Sequence, residues 1–238
     1  MRLLLPHPRQ LSPDDLHEIY AHESACLRAG FVVALDGGIS FGGSSRPLRT
    51  ATDEAAFHAL RAVADAVVVG AGTVRAEGYG PVRPRPGGQA WRHAQGLARV
   101  PPLVIVSRSL NLDPADRCFS GPSVVVTCEA ADPHRRSRLS EVTAVIVAGE
   151  EDVDLPAAVT ALHERGLVRL LCEGGPQLLT ALLQRGLVDE LCLTLTPVLL
   201  GAAPPLLSEA LTVPQQLELR HLIDGDGVLL ACYGVAAT

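Results

Sequence analysis

The sequence predicts an α/β protein with a mixed, mostly parallel central sheet flanked by helices and finished by antiparallel C-terminal strands. Three observations carry this. Short apolar, β-branched runs alternate with helix-length segments from about residue 29 to residue 189, as in a parallel sheet with helical crossovers. After Asp189 the helical segments stop, and a hairpin signal, Asp224-Gly-Asp-Gly227, separates two of the last strands. Two segments also share one design: Asp65-Ala-Val-Val-Val-Gly-Ala-Gly-Thr-Val74 and Leu167-Val-Arg-Leu-Leu-Cys-Glu-Gly-Gly-Pro-Gln-Leu-Leu179. Each runs from an apolar strand through two glycines into residues that open a helix.

The elements follow in order. Ser12 to His22 reads as a short helix, with Ser12 as N-cap and Pro13 at its first position. Ala29 to Leu35 is an apolar strand ending in Asp36-Gly37-Gly38. A helix opens at Thr52-Asp-Glu and runs to about Ala64, with Phe57, Leu60, Val63 and Ala64 on one face. Ala66 to Val69 is a buried strand that leads into the first glycine turn. Residues 78–102, rich in Pro, Gly and Arg and containing Trp91, read as a long excursion loop. Leu103–Val106, Val124–Thr127 and Val142–Val147 are strands, with a short helix begun by Asp132-Pro133. Leu155–Arg165 is a helix stopped by Gly166, Val168–Cys172 a strand, and Pro176–Arg185 a helix stopped by Gly186. Glu190–Pro197, Leu217–Ile223 and Val228–Gly234 complete the sheet.

Composition narrows the function classes. With 238 residues, 47% apolar and 19% charged, the chain buries a full core. A net charge of −6 argues against a nucleic-acid partner, which needs a clustered basic face. No apolar run approaches the roughly 20 residues that span a bilayer, and Met1–Gln10 lacks a signal-peptide core, so the expected location is cytoplasmic. The six cysteines have no C-x-x-C spacing and the eight histidines no metal-ligand spacing, so reduced thiols and no bound metal are expected. All 20 basic residues are arginine. Schiff-base chemistry and a Walker-type phosphate loop, both of which require lysine, are thereby excluded.

The site candidates lie at strand ends. Glycine lets a ligand approach the backbone closely, and N–H groups at a helix start hold anions. Two such turns suggest a dinucleotide gripped from both ends. The first is not a Rossmann fingerprint, because Arg75 stands where the third glycine belongs. Glu173, at the end of a buried strand, sits where open α/β sheets place ligands, although a carboxylate there also suits the dipole of the following helix. Asp36 is a catalytic candidate or an ordinary turn aspartate. Ser107-Arg108, another strand end, offers a guanidinium for a phosphate.

In this order, the residues Leu35-Asp-Gly37, Leu60-Arg-Ala62 with Asp65, Val69-Gly-x-Gly-Thr-Val74, Glu173-Gly-Gly175 and Asp189-Glu-Leu191 with Pro197 and Gly201 resemble the pyrimidine reductase family of riboflavin biosynthesis. The resemblance implies a dihydrofolate-reductase-like fold, with residues 1–26 an N-terminal extension carrying a short helix and 27–238 a single stand-alone reductase domain. It implies a homodimer that uses NADPH and reduces the ribosyl group of 5-amino-6-(5-phosphoribosylamino)uracil to a ribityl chain. Cofactor contacts then fall on Gly70, Gly72, Thr73, Val74, Ser107, Arg108, Gly174, Gly175 and Pro176, with Arg108 at the 2′-phosphate. Asp36 and Glu173 are the catalytic candidates; Thr52, Tyr79 and Arg83 are the substrate-contact candidates. Two departures stand out. Gly30 occupies a position where many members direct a lysine or asparagine at the substrate ring. The stretch Asp53-Glu-Ala-Ala56 is acidic where many members hold the substrate phosphate with arginine, leaving Arg46, Arg49 or Arg83 to take that part. A pterin or dihydrofolate-type reductase, and a catalytically silent nucleotide-binding dimer, remain as alternative readings.

Overall fold

The computed structural model describes residues 1–22 and 24–236; the last two residues of the 27–238 domain lie outside the described residues. Its centre is an eleven-stranded sheet. The strands are β1 (Arg2–Leu5), β2 (Arg9–Gln10), β3 (Cys26–Ala34), β4 (Ala66–Gly70), β5 (Leu103–Val106), β6 (Ser123–Thr127), β7 (Ala144–Val147), β8 (Arg169–Cys172), β9 (Glu190–Thr196), β10 (Leu217–Gly225) and β11 (Val228–Val235). In space they run β2-β1-β10-β11-β9-β3-β8-β4-β5-β6-β7. From β9 to β7 every neighbour is parallel. From β9 back to β2 every neighbour is antiparallel. The predicted mixed sheet with its antiparallel finish is the one observed, in a dihydrofolate-reductase-like architecture.

The helices are α1 (Asp15–Tyr20), α2 (Ala51–Val63), α3 (Ala71–Glu77), α4 (Pro86–Ala94), α5 (Pro133–Ser140), α6 (Leu155–His163) and α7 (Pro176–Gln184). The two faces of the parallel strands divide by alternation. Val67, Val69, Leu103, Ile105 and Leu171 point into a core shared with α1, α2, α3 and α5. Ala66, Val68, Val104, Leu170 and Cys172 point into a second core under α6 and α7. Burial on both faces explains why these strands read as unbroken apolar runs.

Three features differ from the expectation. Residues 2–5 and 9–10 are strands, and β1 extends the sheet beside β10. These segments are too short, and too interrupted by proline, to show a pattern of their own; a strand edge offered by the far C-terminus recruits them. The expected loop 78–102 contains α4, whose first residue is Pro86. Gly87-Gly88 obscures that helix, and packing requires it: a Cβ on Gly88 would lie 3.0 Å from the Ala62 Cβ. From α4, the Arg92 guanidinium reaches the carbonyls of Ala62, Ala64 and Ala98. It thereby satisfies acceptors at the C-terminal end of α2 that would otherwise be orphaned. At the chain start, α1 begins at Asp15, later than expected, but Ser12 Oγ still accepts from the Asp15 N–H while Ser12 N–H donates to the Asp15 carboxylate.

Candidate functional site

Two glycine turns lie side by side because β4 and β8 are neighbours. Gly70 N–H donates to Gly174 O at 2.7 Å, tying the turns together. Gly174 has φ +96°, and a Cβ there would meet the Phe31 ring at 2.9 Å. A Cβ on Gly175 would meet Thr73 Oγ1 at 2.6 Å. At Gly72, by contrast, nothing lies within 4 Å of the Cβ position, and the residue faces open space.

Two cavities adjoin this junction. The inner one, about 490 Å³, lies between α2, α3, the middle of β3 and β9, and the end of β8. The outer one, about 750 Å³, runs along the ends of β4 and β5 to α7. They share a wall of Gly72, Thr73, Gly175, Pro176 and Pro204. Gly70, Ser107 and Arg108 line the outer cavity as well. Arg108 Nε donates to Glu151 O at 3.0 Å, and Ser107 Oγ accepts from Leu110 N–H. Arg75 and Arg185 also line the outer cavity, so two further guanidinium groups accompany Arg108 there. Val74 lines neither cavity: it is 4% exposed and packs in the core beneath α3.

In the inner cavity Glu173 is wholly engaged. Its side chain is 2% exposed; Oε1 accepts from Arg61 Nε at 2.6 Å, and Oε2 accepts from Arg61 Nη2 and from Tyr79 Oη, both at 2.7 Å. Burial opposes the Arg61 charge, but the Glu173 carboxylate outweighs it and holds the guanidinium above its ordinary pKa. Burial, then the adjacent Glu173 charge, push the Tyr79 phenol well up, so Tyr79 acts as a neutral hydrogen-bond donor. The Arg61 guanidinium also stacks 4.0 Å from the Phe57 ring centroid.

The remaining candidates are placed differently from the expectation. Asp36 is exposed and lines neither cavity. Its Oδ2 accepts from Leu200 and Gly201 N–H at 2.7 Å each, and these bonds hold its pKa below the ordinary value. A carboxylate that pins a loop through two backbone donors needs the same Asp-Gly-Gly turn as a catalytic one, so sequence alone could not separate the two roles. Thr52 is buried, and its hydroxyl donates to Gly225 O, fastening α2 to β10. Arg83 is exposed and lines neither cavity, as does Arg46. Among the proposed arginine substitutes, Arg49 lines the inner cavity, and Arg85 joins it there.

The sequence placed Phe57 on the core face of α2, Arg61 only within the Leu60-Arg-Ala62 motif and Asp53 only as a departure, and gave His58, Glu77 and Arg85 no role. The signal was present in α2, where Asp53, Phe57 and Arg61 recur every four residues and form one stripe. Phe57 is drawn to the cavity edge, away from the core face expected for it. Glu77 accepts from Ser45 N–H at 2.7 Å and lies 3.6 Å from Arg49 Nη2. Arg85 pairs with Glu54 at 2.9 Å. His58 Nδ1 is buried with no partner among the described residues; burial, with Arg85 and Arg61 nearby, lowers the pKa of the ring.

Fold and site together define an α/β protein with an elongated, two-chambered cleft at the ends of parallel strands, joined by glycine turns. The chain belongs to the RibD C-terminal domain family, which matches residues 25–230. It is 32% identical over 201 residues to the 2,5-diamino-6-ribosylamino-4(3H)-pyrimidinone 5′-phosphate reductase of Methanothermobacter thermautotrophicus, covering 82% of each chain. The Aquifex aeolicus enzyme of the same name is 32% identical over 179 residues, 71% of this chain and 75% of that one. A pyrimidine reductase-like protein of Corynebacterium diphtheriae superposes with a TM-score of 0.80 at 31% identity, over 90% and 93% of the two chains. The diaminohydroxyphosphoribosylaminopyrimidine deaminase/5-amino-6-(5-phosphoribosylamino)uracil reductase of Thermotoga maritima shares the fold, with a TM-score of 0.71 at 21% identity; the chain spans 57% of it.

Replacing Glu173 by Gln leaves the Arg61 guanidinium buried without its counter-charge. The expected loss is about 3 kcal/mol of unfolding free energy by urea titration, partly recovered in the Glu173→Gln/Arg61→Gln double variant. Unchanged stability in the single variant would show that the pair has no structural part.

Proposed function

We propose that the protein is an NADPH-dependent pyrimidine reductase. It reduces the ribosyl group of a phosphoribosylamino-pyrimidine, such as 5-amino-6-(5-phosphoribosylamino)uracil, to a ribityl chain, and works as a homodimer. Family membership supports an oxidoreductase of this type. The single observation that carries the site assignment is the wall shared by the two cavities, which brings Gly72, Thr73, Gly175 and Pro176 between an outer and an inner chamber.

NADPH fits the outer chamber, because Gly72 offers backbone with open space where a pyrophosphate needs close approach, and Arg108 and Arg75 offer cationic partners for the 2′-phosphate. When bound, NADPH supplies the hydride. The chain then orients the substrate and excludes water from the inner chamber. Tyr79 and Arg61, locked on Glu173, form a rigid polar wall in which both carboxylate oxygens are paired. Glu173 thus positions Arg61 and Tyr79 in this reading and does not carry the proton itself. Arg49 and Arg85 are the guanidinium groups left to meet a substrate phosphate, which must compete with Glu77 and Glu54 for them. A pterin or dihydrofolate-type reductase is the second reading, favoured by the acid at Asp53 and by the absence of a side chain at Gly30, where a Cβ would touch Leu171 and Leu60.

Oxidation of NADPH, followed at 340 nm with the phosphoribosylamino-pyrimidine, is expected to show turnover. Tight NADPH binding with no turnover on this substrate would favour the pterin reading. Gly72→Val is expected to fold normally, since its Cβ has no neighbour within 4 Å, and to weaken NADPH binding at least 10-fold, or about 1.4 kcal/mol. Unaltered affinity would move the cofactor elsewhere. Arg108→Ala is expected to reduce the preference for NADPH over NADH by about 1.5–3 kcal/mol, the worth of one charge-assisted contact; an unchanged preference would pass that role to Arg75 or Arg185.

A further inference from the structure

Away from the cleft, where the N-terminal segment enters the sheet, three kinds of donor atom converge. His22 follows α1, Cys26 opens β3 and Glu190 opens β9. One imidazole nitrogen, the Cys26 sulfur and one Glu190 oxygen lie within 4.8 Å of one another. Strand register brings the last two together: Arg28 is paired with Glu190 across β3 and β9, and Cys26, two residues earlier, shares its face. Glu190 uses its oxygens differently. Oε2 accepts from Arg28 Nε and Nη2 at 2.9 and 2.6 Å and from the Cys232 thiol at 3.7 Å. Oε1 meets His22 Nε2 at 3.0 Å, and Cys26 is a free, buried thiol. Glu190 also forms a set with Cys192 and Cys232. There, however, the two thiols meet each other at 3.5 Å and the adjoining oxygen belongs to Arg28. The set open to a cation is therefore His22, Cys26 and Glu190 Oε1.

We propose that His22, Cys26 and Glu190 hold a zinc ion, with water as fourth ligand, and that this ion clamps the N-terminal segment to the sheet. Nitrogen, sulfur and oxygen donors together suit zinc, whereas magnesium and calcium take oxygen alone. A tetrahedral zinc with bonds of about 2.0–2.3 Å sets its ligand atoms roughly 3.3–3.8 Å apart, so small side-chain rotations close the set. The ion binds neutral imidazole, thiolate and carboxylate, and the Cys26 proton leaves to solvent. Charge is balanced at this corner. Arg169 is paired with Asp65 and Arg28 with Glu190, while the Cys26 thiolate and the adjacent Asp189 carboxylate offset the ion. Arg28 stays on Oε2 and on Tyr20 O at 2.8 Å, and so orients the ligating carboxylate from behind. The His22 side chain is 31% exposed, which gives the ion and its water a path from solvent. Tyr20, two residues before His22, lines the inner cavity, so the clamp also steadies one wall of the cleft. The donors come from residues 22 and 26 and from a strand far along the chain, which leaves no complete motif in the sequence.

The test strips the full chain of metal with a chelator and titrates it with Co²⁺, then Zn²⁺. Stoichiometric cobalt is expected to give thiolate-to-cobalt charge-transfer absorption, which stoichiometric zinc then bleaches. Cys26→Ser is expected to remove that absorption. His22→Ala and Cys26→Ser are each expected to weaken zinc binding by more than the roughly 10-fold that loss of an outer hydrogen-bond partner costs a metal site. Cys118→Ser, at a buried thiol between β5 and β6, is expected to change neither. Zinc is also expected to raise the thermal unfolding midpoint of the unmodified protein and not that of His22→Ala. Absence of the charge-transfer absorption in the unmodified protein would overturn the proposal. So would absorption that survives both substitutions, absorption lost in Cys192→Ser but kept in Cys26→Ser, or an equal rise in midpoint with and without His22. If Cys26→Ser does not fold, as judged by circular dichroism, His22→Ala, at a partly exposed position, still decides.

Discussion

The register between β4 and β8 is the constraint on which the site depends. At one end of the pair, Asp65 accepts from the backbone N–H groups of Val168 and Arg169 and forms a two-point ion pair with the Arg169 guanidinium. At the other end, Gly70 N–H donates to Gly174 O. Both ends of the strand pair are thus fastened. A slip of one residue would turn Val67, Val69 and Leu171 away from their core and separate the glycine turns. With the register held, the turns form the wall between the chambers, and Glu173 emerges beside α2, where Arg61 meets it.

Charge pairing then shapes the inner chamber. Arginine is the only strong base available to this chain, and in the cavity each guanidinium is matched to a carboxylate. These pairs differ in burial. Glu173 and Arg61 are nearly dry and act as framework, whereas Arg85 and Glu54 are about half exposed and exchange partners at little cost. The same chemistry therefore builds a rigid wall deep in the cleft and a labile rim at its mouth. Arg92, reaching across from α4 to the end of α2, extends the framework to the segment that delivers Tyr79 and Arg85.

The parallel strands were legible because burial on two faces demands continuous β-branched sequence, and the helices α6 and α7 because glycine closes each of them. The second glycine turn was legible for a related reason: the positive φ of Gly174 and the close approach of Thr73 to Gly175 restrict the residue type so strongly that the sequence records the geometry. α4 was hidden by Gly87 and Gly88, which weaken helix propensity while meeting a packing need that no local pattern expresses. The N-terminal strands were hidden because their partner, β10, lies more than 200 residues away in the chain.

By itself, then, the sequence determined the α/β class, the order of the strands along the chain and the positions of the glycine turns, since propensity, alternation and glycine all act over a few neighbouring residues. Only the tertiary structure decided which strand-end acid faces the cleft. Asp36 and Glu173 look alike in sequence, yet one is spent on the amides of Leu200 and Gly201 and the other on Arg61 and Tyr79. Asp53, which read as a misplaced charge, is buried at the head of α2 beside the Thr194 hydroxyl of β9. The role of a carboxylate is set by the donors that surround it, and those donors come from elements far apart in the chain.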